Sequence, residues 1–255
     1  MYVQSFLNQF IQIYQTHLQT NLIGIYLHGS LAMGCYQPGK SDIDILIVIH
    51  EKISQNKKKK LIQEILQLEK TYPEIKVEMS IIAHNHLQDF KYPTPFELHY
   101  SKLHKPLYQE NPDYLSENEL DPDLAAHLVV TKHRGITLYG ASISEIPKVE
   151  KRHFTHSLLQ DIDKVSMKIT EDPVYYSLNL CRTLYYLKEN AIASKKEGGE
   201  WAISLVSTPY DQLISKALNQ YTGQNSGEDF DPNLLKKFAE CMVRKINKEL
   251  NLQQL

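Results

Sequence analysis

The sequence predicts an α+β fold: a small mixed sheet flanked by helices over residues 1–148, then an all-α helical bundle over 149–255. Three observations carry that prediction. Strand and helix patterns alternate through the first half, and strand signals largely stop beyond Gly140. The pairs Asp172-Pro173, Thr208-Pro209 and Asp231-Pro232 then each set a capping residue and a first-turn proline ahead of an apolar-periodic stretch. A chain of 255 residues can bury one large core or two modest ones. The change of pattern therefore reads as a domain boundary, with Ile146-Pro147 as the linker.

The elements follow in order. Phe6, Phe10, Ile13 and Tyr14 recur at helical spacing and open the chain with an amphipathic helix. Residues 22–28 read as a strand ending at a Gly29-Ser30 turn. Residues 43–49 are almost continuously β-branched or apolar, which fits a strand covered on both faces. Leu61, Ile65 and Leu68 define one side of a helix over 57–72, and the lysine run at 57–60 reads as its solvated face. Over 75–83, Ile75, Val77, Met79 and Ile81 face one way, and Glu78 and Ser80 the other. Lys91-Tyr92-Pro93-Thr94-Pro95 is a breaker-rich loop. Asp121-Pro122 predicts a helix running to about Leu138. In the bundle, Phe154, Leu158, Ile162, Val165 and Ile169 predict one long helix.

Composition narrows the class. Net charge is -2, which gives no support for a binder relying on a broad basic field; a local cationic groove stays open, but no nucleic-acid partner is expected. Charges interrupt every apolar run before membrane-spanning length, and the first residues lack a basic stretch followed by an apolar run. Cys35, Cys181 and Cys241 are odd in number and lack metal-ligand spacing, as expected of reduced thiols in a cytoplasmic protein.

The chemistry concentrates in the first half. Gly29 lets backbone approach a phosphate closely, and Ser30 adds a hydroxyl donor. Asp42 and Asp44 stand two apart on a strand and so share a face. Adjacent carboxylates repel unless a cation lies between them, and hard oxygen ligands suit magnesium arriving with nucleotide phosphates. Leu46 and Val48 occupy that same face further along, so the pair sits at the end of a buried strand, where sites form in open α/β sheets. A neighbouring strand would bring Glu78 beside them. Three carboxylates around one or two metals suit nucleotidyl transfer, and one can accept the proton of an attacking hydroxyl. A solvent-facing Glu78 on an edge strand is the alternative.

Leu27-His28-Gly29-Ser30 with Ser41-Asp42-Ile43-Asp44-Ile45-Leu46 resembles the signature of the DNA-polymerase-β-like nucleotidyltransferase superfamily. Further along stand Lys91-Tyr92-Pro93 with Phe96-Glu97-Leu98, and Leu120-Asp121-Pro122-Asp123-Leu124-Ala125. With Leu180-Cys181-Arg182-Thr183-Leu184 and Ser194-Lys195-Lys196 ahead of Glu200-Trp201-Ala202, they resemble the aminoglycoside nucleotidyltransferases, the streptomycin/spectinomycin adenylyltransferase family. The resemblance implies an amino-terminal nucleotidyltransferase domain and a helical carboxy-terminal domain. It implies an ATP-dependent enzyme that moves AMP from Mg-ATP to a hydroxyl of an aminoglycoside-type antibiotic, releasing pyrophosphate and conferring resistance. Asp42 and Asp44 match magnesium ligands; Glu78 matches the catalytic base and is counted with them as a third metal-site carboxylate. Ser30 and Ser41 match phosphate contacts, and Asp123, Arg182, Lys195 and Tyr221 further ATP contacts. ATP would draw the two domains together. Asp172 falls where the family faces the cationic drug with an acidic residue, and Glu97 is a further drug contact. Leu103 stands where many members carry a tryptophan of the drug pocket, so spectinomycin is favoured over streptomycin. A monomer is expected.

Plainer roles stand beside these. Asp172 suits the cap before Pro173, and Asp123 complements a helix dipole. Lys195 reads as surface apart from the resemblance, Trp201 as packing, and His84 with His86 as a loop or cap pair. A nucleotidyltransferase acting on a protein or another metabolite stays open. So does a non-catalytic nucleotide-binding regulator, although such proteins usually lose one of the carboxylates that all stand here.

Overall fold

A computed structural model describes residues 2–224 and 229–253. The chain falls into two compact units, Met1–His153 and Phe154–Leu255. The first begins with α1 (Tyr2–Leu18), β1 (Leu22–His28), α2 (Gly29–Ala32), β2 (Asp42–Ile49), α3 (Gln55–Thr71) and β3 (Lys76–Ala83). It continues through α4 (His84–Gln88), β4 (Thr94–Pro95), β5 (Leu98–Tyr100), α5 (Lys105–Glu110), β6 (Leu120–Asp121), α6 (Leu124–Arg134) and β7 (Ile136–Gly140). Five strands form a mixed sheet in the order β5-β3-β2-β1-β7, and β4 pairs with β6 separately. Only β2 and β3 run parallel within that sheet. A parallel pair needs a crossover, and α3 supplies it.

One sheet face builds the core. Ile43, Ile45, Ile47 and Ile49 of β2 line up with Val77, Met79 and Ile81 of β3, and pack with Phe6 and Phe10 of α1 and Leu61 and Ile65 of α3. Ser54 starts α3 by accepting a hydrogen bond from the Lys57 amide. On the other face Leu46, Val48, Ser80 and Ile82 are buried, while Asp42, Asp44 and Glu78 at the strand starts stay half-buried.

In the second unit α7 (Lys151–Gln160), which begins in the last residues of the first, is followed by α8 (Val165–Lys168), α9 (Pro173–Glu189), α10 (Lys195–Ile203), α11 (Tyr210–Tyr221) and α12 (Pro232–Gln253). α9 is central, with α10, α11 and α12 packed on it. Gly198 permits the closest approach: a Cβ there would lie 2.7 Å from the Arg182 Cα. Trp201 stacks on Tyr185, ring centroids 4.5 Å apart.

Several elements differ from the sequence reading. The helix expected from Asp121 to Leu138 is shorter and is followed by a strand. Asp121 instead accepts the Asp123 amide at 2.8 Å in a turn ahead of α6. Gly135 then ends the helix, and the β-prone Ile136 and Thr137 pair with Leu27 and Tyr26. The helix expected from Phe154 to Ile169 breaks after Gln160, where the Asp161 carboxylate turns to Tyr175 and Arg182. Nor is the lysine run wholly solvated. Lys58 is 2 % exposed, with its ammonium 2.6 Å from Glu117 Oε2 and 3.2 Å from Glu97 Oε2. A buried charge needs such partners.

Removing side-chain volume at the centre of this core should be costly. Ile47→Ala, at a fully buried position, is expected to lose about 2–5 kcal/mol of unfolding free energy in urea titration.

Candidate active site

Strand register assembles the carboxylates. In the parallel pairing Asp44 stands opposite Glu78 and Asp42 opposite Lys76; across the antiparallel pairing His28 stands opposite Asp44. Adjacent strands lie about 4.8 Å apart, so Asp44 and Glu78 are side by side with Asp42 one pleat away on the same face. The cluster lies at the amino-terminal ends of β2 and β3, not at the carboxyl ends usual in parallel sheets. The cause is β1, which runs the other way and delivers the Gly29-Ser30 turn to that edge.

Gly29 is required there. Its φ is +63°, and a Cβ would fall 1.8 Å from Asp44 Oδ2. The turn is pressed against the carboxylate, and only glycine leaves room. Ser30 Oγ and Asp42 Oδ1 are both buried with no hydrogen-bond partner among the described residues. Unpaired buried oxygens are costly, and these two are satisfied if a cation meets Asp42 and an acceptor such as a phosphate oxygen meets Ser30. Ser41 Oγ accepts the Gln37 amide at 3.1 Å, which leaves its own O–H to donate. Among the described residues no three His, Cys, Asp or Glu side chains are drawn into a closed metal cage. Magnesium is commonly held by one or two carboxylates with substrate phosphates, so Asp42 and Asp44 fit it as a pair. Glu78 is turned instead toward His127, its Oε1 3.8 Å from Nε2.

Cations flank the cluster. Lys102 Nζ lies 3.7 Å from Asp42 Oδ2. His127 Nε2 lies 3.2 Å from Asp123 Oδ2. Burial lowers the His127 pKa, but Asp123, and after it Glu78 and Asp121, outweigh that and carry it up to about 10. His28 goes the other way: burial first, then the charge on His127, push it well below 6.5. Burial likewise takes His99 down to about 3, helped by His104 and His127, while its Nδ1 lies 2.9 Å from Ser80 Oγ. Beyond the carboxylates, burial thus favours the neutral form of His28 and His99, while the carboxylates around His127 favour its charged form. Sequence reading missed His127; its only signal is the four-residue spacing from Asp123 on one helix face.

In the second unit, Arg182 and Lys195 gather at Tyr175. Arg182 Nη2 donates to Asp161 Oδ2 at 2.6 Å, and the Tyr175 hydroxyl donates to Asp161 Oδ1 at 3.0 Å. Lys195 Nζ lies 4.5 Å from the centre of the Tyr175 ring. Arg182 Nε is buried without a partner among the described residues. Asp161 and Tyr175 were missed because nothing local ties them to Arg182. Tyr221 is the half-buried last residue of α11. Asp172 caps α9, accepting the Tyr175 amide at 3.1 Å.

The two acceptor-side residues of the first unit separate. Leu103 is 77 % exposed on the turn after β5, next in sequence to Lys102, whose ammonium reaches Asp42. Glu97 is only 1 % exposed and lies against the buried Lys58, with Lys52 at 3.9 Å. The expectation that Glu97 meets a ligand is corrected: it neutralises a buried lysine and offers no surface.

A carboxylate pair beside a Gly-Ser turn, with a third carboxylate in register, defines a nucleotidyltransferase. Comparison with known proteins agrees: residues 7–96 match the nucleotidyltransferase domain, and residues 145–245 match the aminoglycoside adenylyltransferase C-terminal domain. The chain belongs to the aminoglycoside nucleotidyltransferase family. Similar proteins include a spectinomycin 9-adenylyltransferase of Enterococcus faecalis, 25% identical over 86% of this chain and 87% of the relative. Another, from Campylobacter jejuni, is 26% identical over 95% and 93%. An aminoglycoside (3'') (9) adenylyltransferase of Klebsiella pneumoniae is 24% identical over 96% and 95%. The fold matches the enterococcal spectinomycin adenyltransferase AAD(9), crystallised with ATP and spectinomycin. That match has a TM-score of 0.82 at 22% identity, over 96% of this chain and 99% of that one.

Gly29→Ala should force Asp44 aside. The expected outcome is a loss of about 1–3 kcal/mol in stability from strained backbone, with magnesium-dependent ATP binding abolished in calorimetry.

Proposed function

We propose that this enzyme transfers AMP from Mg-ATP to a hydroxyl of an aminoglycoside-type antibiotic, with spectinomycin the favoured acceptor, and so confers resistance. The observation that carries the reading is the register of Asp44 against Glu78, with Gly29 closed on Asp44. On this reading Asp42 and Asp44 would be the metal-binding pair and Glu78 a separate base one strand spacing away. Asp42 and Asp44 would hold magnesium, which when bound neutralises the triphosphate and the departing pyrophosphate. Ser30 and Ser41 would donate to phosphate oxygens. Glu78 would take the proton of the acceptor hydroxyl as its oxygen bonds to the α-phosphorus. The bond from that phosphorus to the bridging oxygen breaks, and pyrophosphate leaves with the electron pair. Asp123, Arg182, Lys195 and Tyr221 would contact the nucleotide, and Asp172 the cationic acceptor. The enzyme would act as a cytoplasmic monomer, without nucleic acid or membrane.

The choice of acceptor rests on Leu103 and on the relatives. An exposed leucine offers no aromatic stacking surface, and relatives named for spectinomycin stand among the similar proteins. Pyrophosphate release with Mg-ATP across a drug panel tests the reading. Spectinomycin should support turnover and streptomycin little; release with neither drug would remove the antibiotic assignment. Leu103→Trp is expected to raise kcat/KM for streptomycin while leaving spectinomycin turnover largely in place. Glu78→Gln should abolish turnover and leave ATP affinity near that of the unmodified enzyme, so unchanged turnover would take Glu78 out of the mechanism.

A further inference from the structure

We propose that His127 is the positioning residue of the transfer site: one imidazole ties Glu78 to Asp123 and so fixes the base relative to the nucleotide. The inference rests on the reading of Glu78 as the base and of Asp123 as a nucleotide contact. His127 Nε2 faces both carboxylates, at 3.2 Å from Asp123 Oδ2 and 3.8 Å from Glu78 Oε1. The imidazole is 16% exposed against 47% for Asp123 and 31% for Glu78, so it forms the inner wall against which both carboxylates rest. Its ring packs on His28, centroids 4.8 Å apart, and His28 is the last residue of β1 before Gly29. α6 also packs on β1 and α2. A single ring therefore meets the end of β1, the base on β3 and the first turn of α6.

The unequal distances have chemical meaning. Nε2 carries one N–H, and the nearer Asp123 takes it. At 3.8 Å Glu78 Oε1 lies within ion-pair distance of the same nitrogen but beyond hydrogen-bond range. A helix-stabilising i,i+4 pair would need Asp123 only; the approach to Glu78 on another element is what a positioning role adds.

Two substitutions separate donor from ring. His127→Phe keeps the ring and removes the N–H; His127→Gln keeps an N–H donor near the Nε2 position. His127→Phe should lower kcat about a hundredfold, as expected when a reacting group is misplaced by an ångström. KM for ATP and calorimetric ATP affinity should stay within about threefold of the unmodified enzyme, and His127→Gln should recover about tenfold of the loss. In the Glu78→Gln background His127→Phe should have little further effect. An unchanged kcat in His127→Phe overturns the proposal, as does a loss confined to ATP affinity. If no acceptor turns over with the unmodified enzyme, the acceptor assignment fails, and His127 is then judged by NMR of its Nε2–H. That resonance should move in both Asp123→Asn and Glu78→Gln. Indifference to Glu78→Gln overturns the positioning role whatever the substrate.

Discussion

The site depends on one strand pairing, the parallel ladder that sets Asp44 of β2 beside Glu78 of β3. Left to themselves the two carboxylates would separate. At about 5 Å and an effective dielectric of about 20 they repel by about 3 kcal/mol. What holds them is behind them. Ile43, Ile45, Ile47, Val77, Met79 and Ile81 are all essentially fully buried on the opposite face, each contributing about 1.5–3 kcal/mol. Sliding the register by one residue would turn that whole set toward the site. Core burial exceeds the local repulsion several times over, so the fold can hold in place a cluster that its own charges oppose.

The same constraint explains the charges nearby. Lys102 stands by Asp42, His127 lies between Asp123 and Glu78, and Asp44 is closed over by Gly29. Neutral His28 and His99 then line the buried face without adding charge. The second unit uses a similar device. Asp161 grips one end of the Arg182 guanidinium and the Tyr175 hydroxyl, while Lys195 lies over the Tyr175 ring. Arg182 and Lys195 are thereby both tied to one aspartate–tyrosine pair, and in the proposed role as nucleotide contacts that restraint would lower the conformational entropy lost on binding.

Legibility in the sequence tracked the range of each interaction. Asp42, Asp44 and Glu78 could be placed from strand alternation alone, because period two is a local property of the backbone. The cap at Asp172 and the starts of α9 and α12 were legible for the same reason. β7 was not. Its residues follow a helix without a long loop, and only Gly135 and the pairing to β1 turn them into a strand. Glu97 reads locally as an acidic residue in a family motif, and its partner Lys58 as one lysine of a polar run. Only the fold brings them together and buries both. His127 falls between these cases, since its spacing from Asp123 is local but its approach to Glu78 is not.

That distinction also explains why the reaction is easier to read than the acceptor. The groups that would handle the triphosphate are strand residues or a turn locked by a strand, each fixed by register or by a glycine that nothing can replace. Of the two residues of the first unit expected on the acceptor side, Leu103 belongs to a short exposed turn, and Glu97, six positions earlier, is buried against a lysine. Loop positions of this kind can change without disturbing the sheet. A family built this way can keep one transfer chemistry while its members diverge in the hydroxyl they modify. In this chain the turn carrying Lys102 and Leu103 is a position of that kind: its lysine reaches Asp42, and its leucine is exposed.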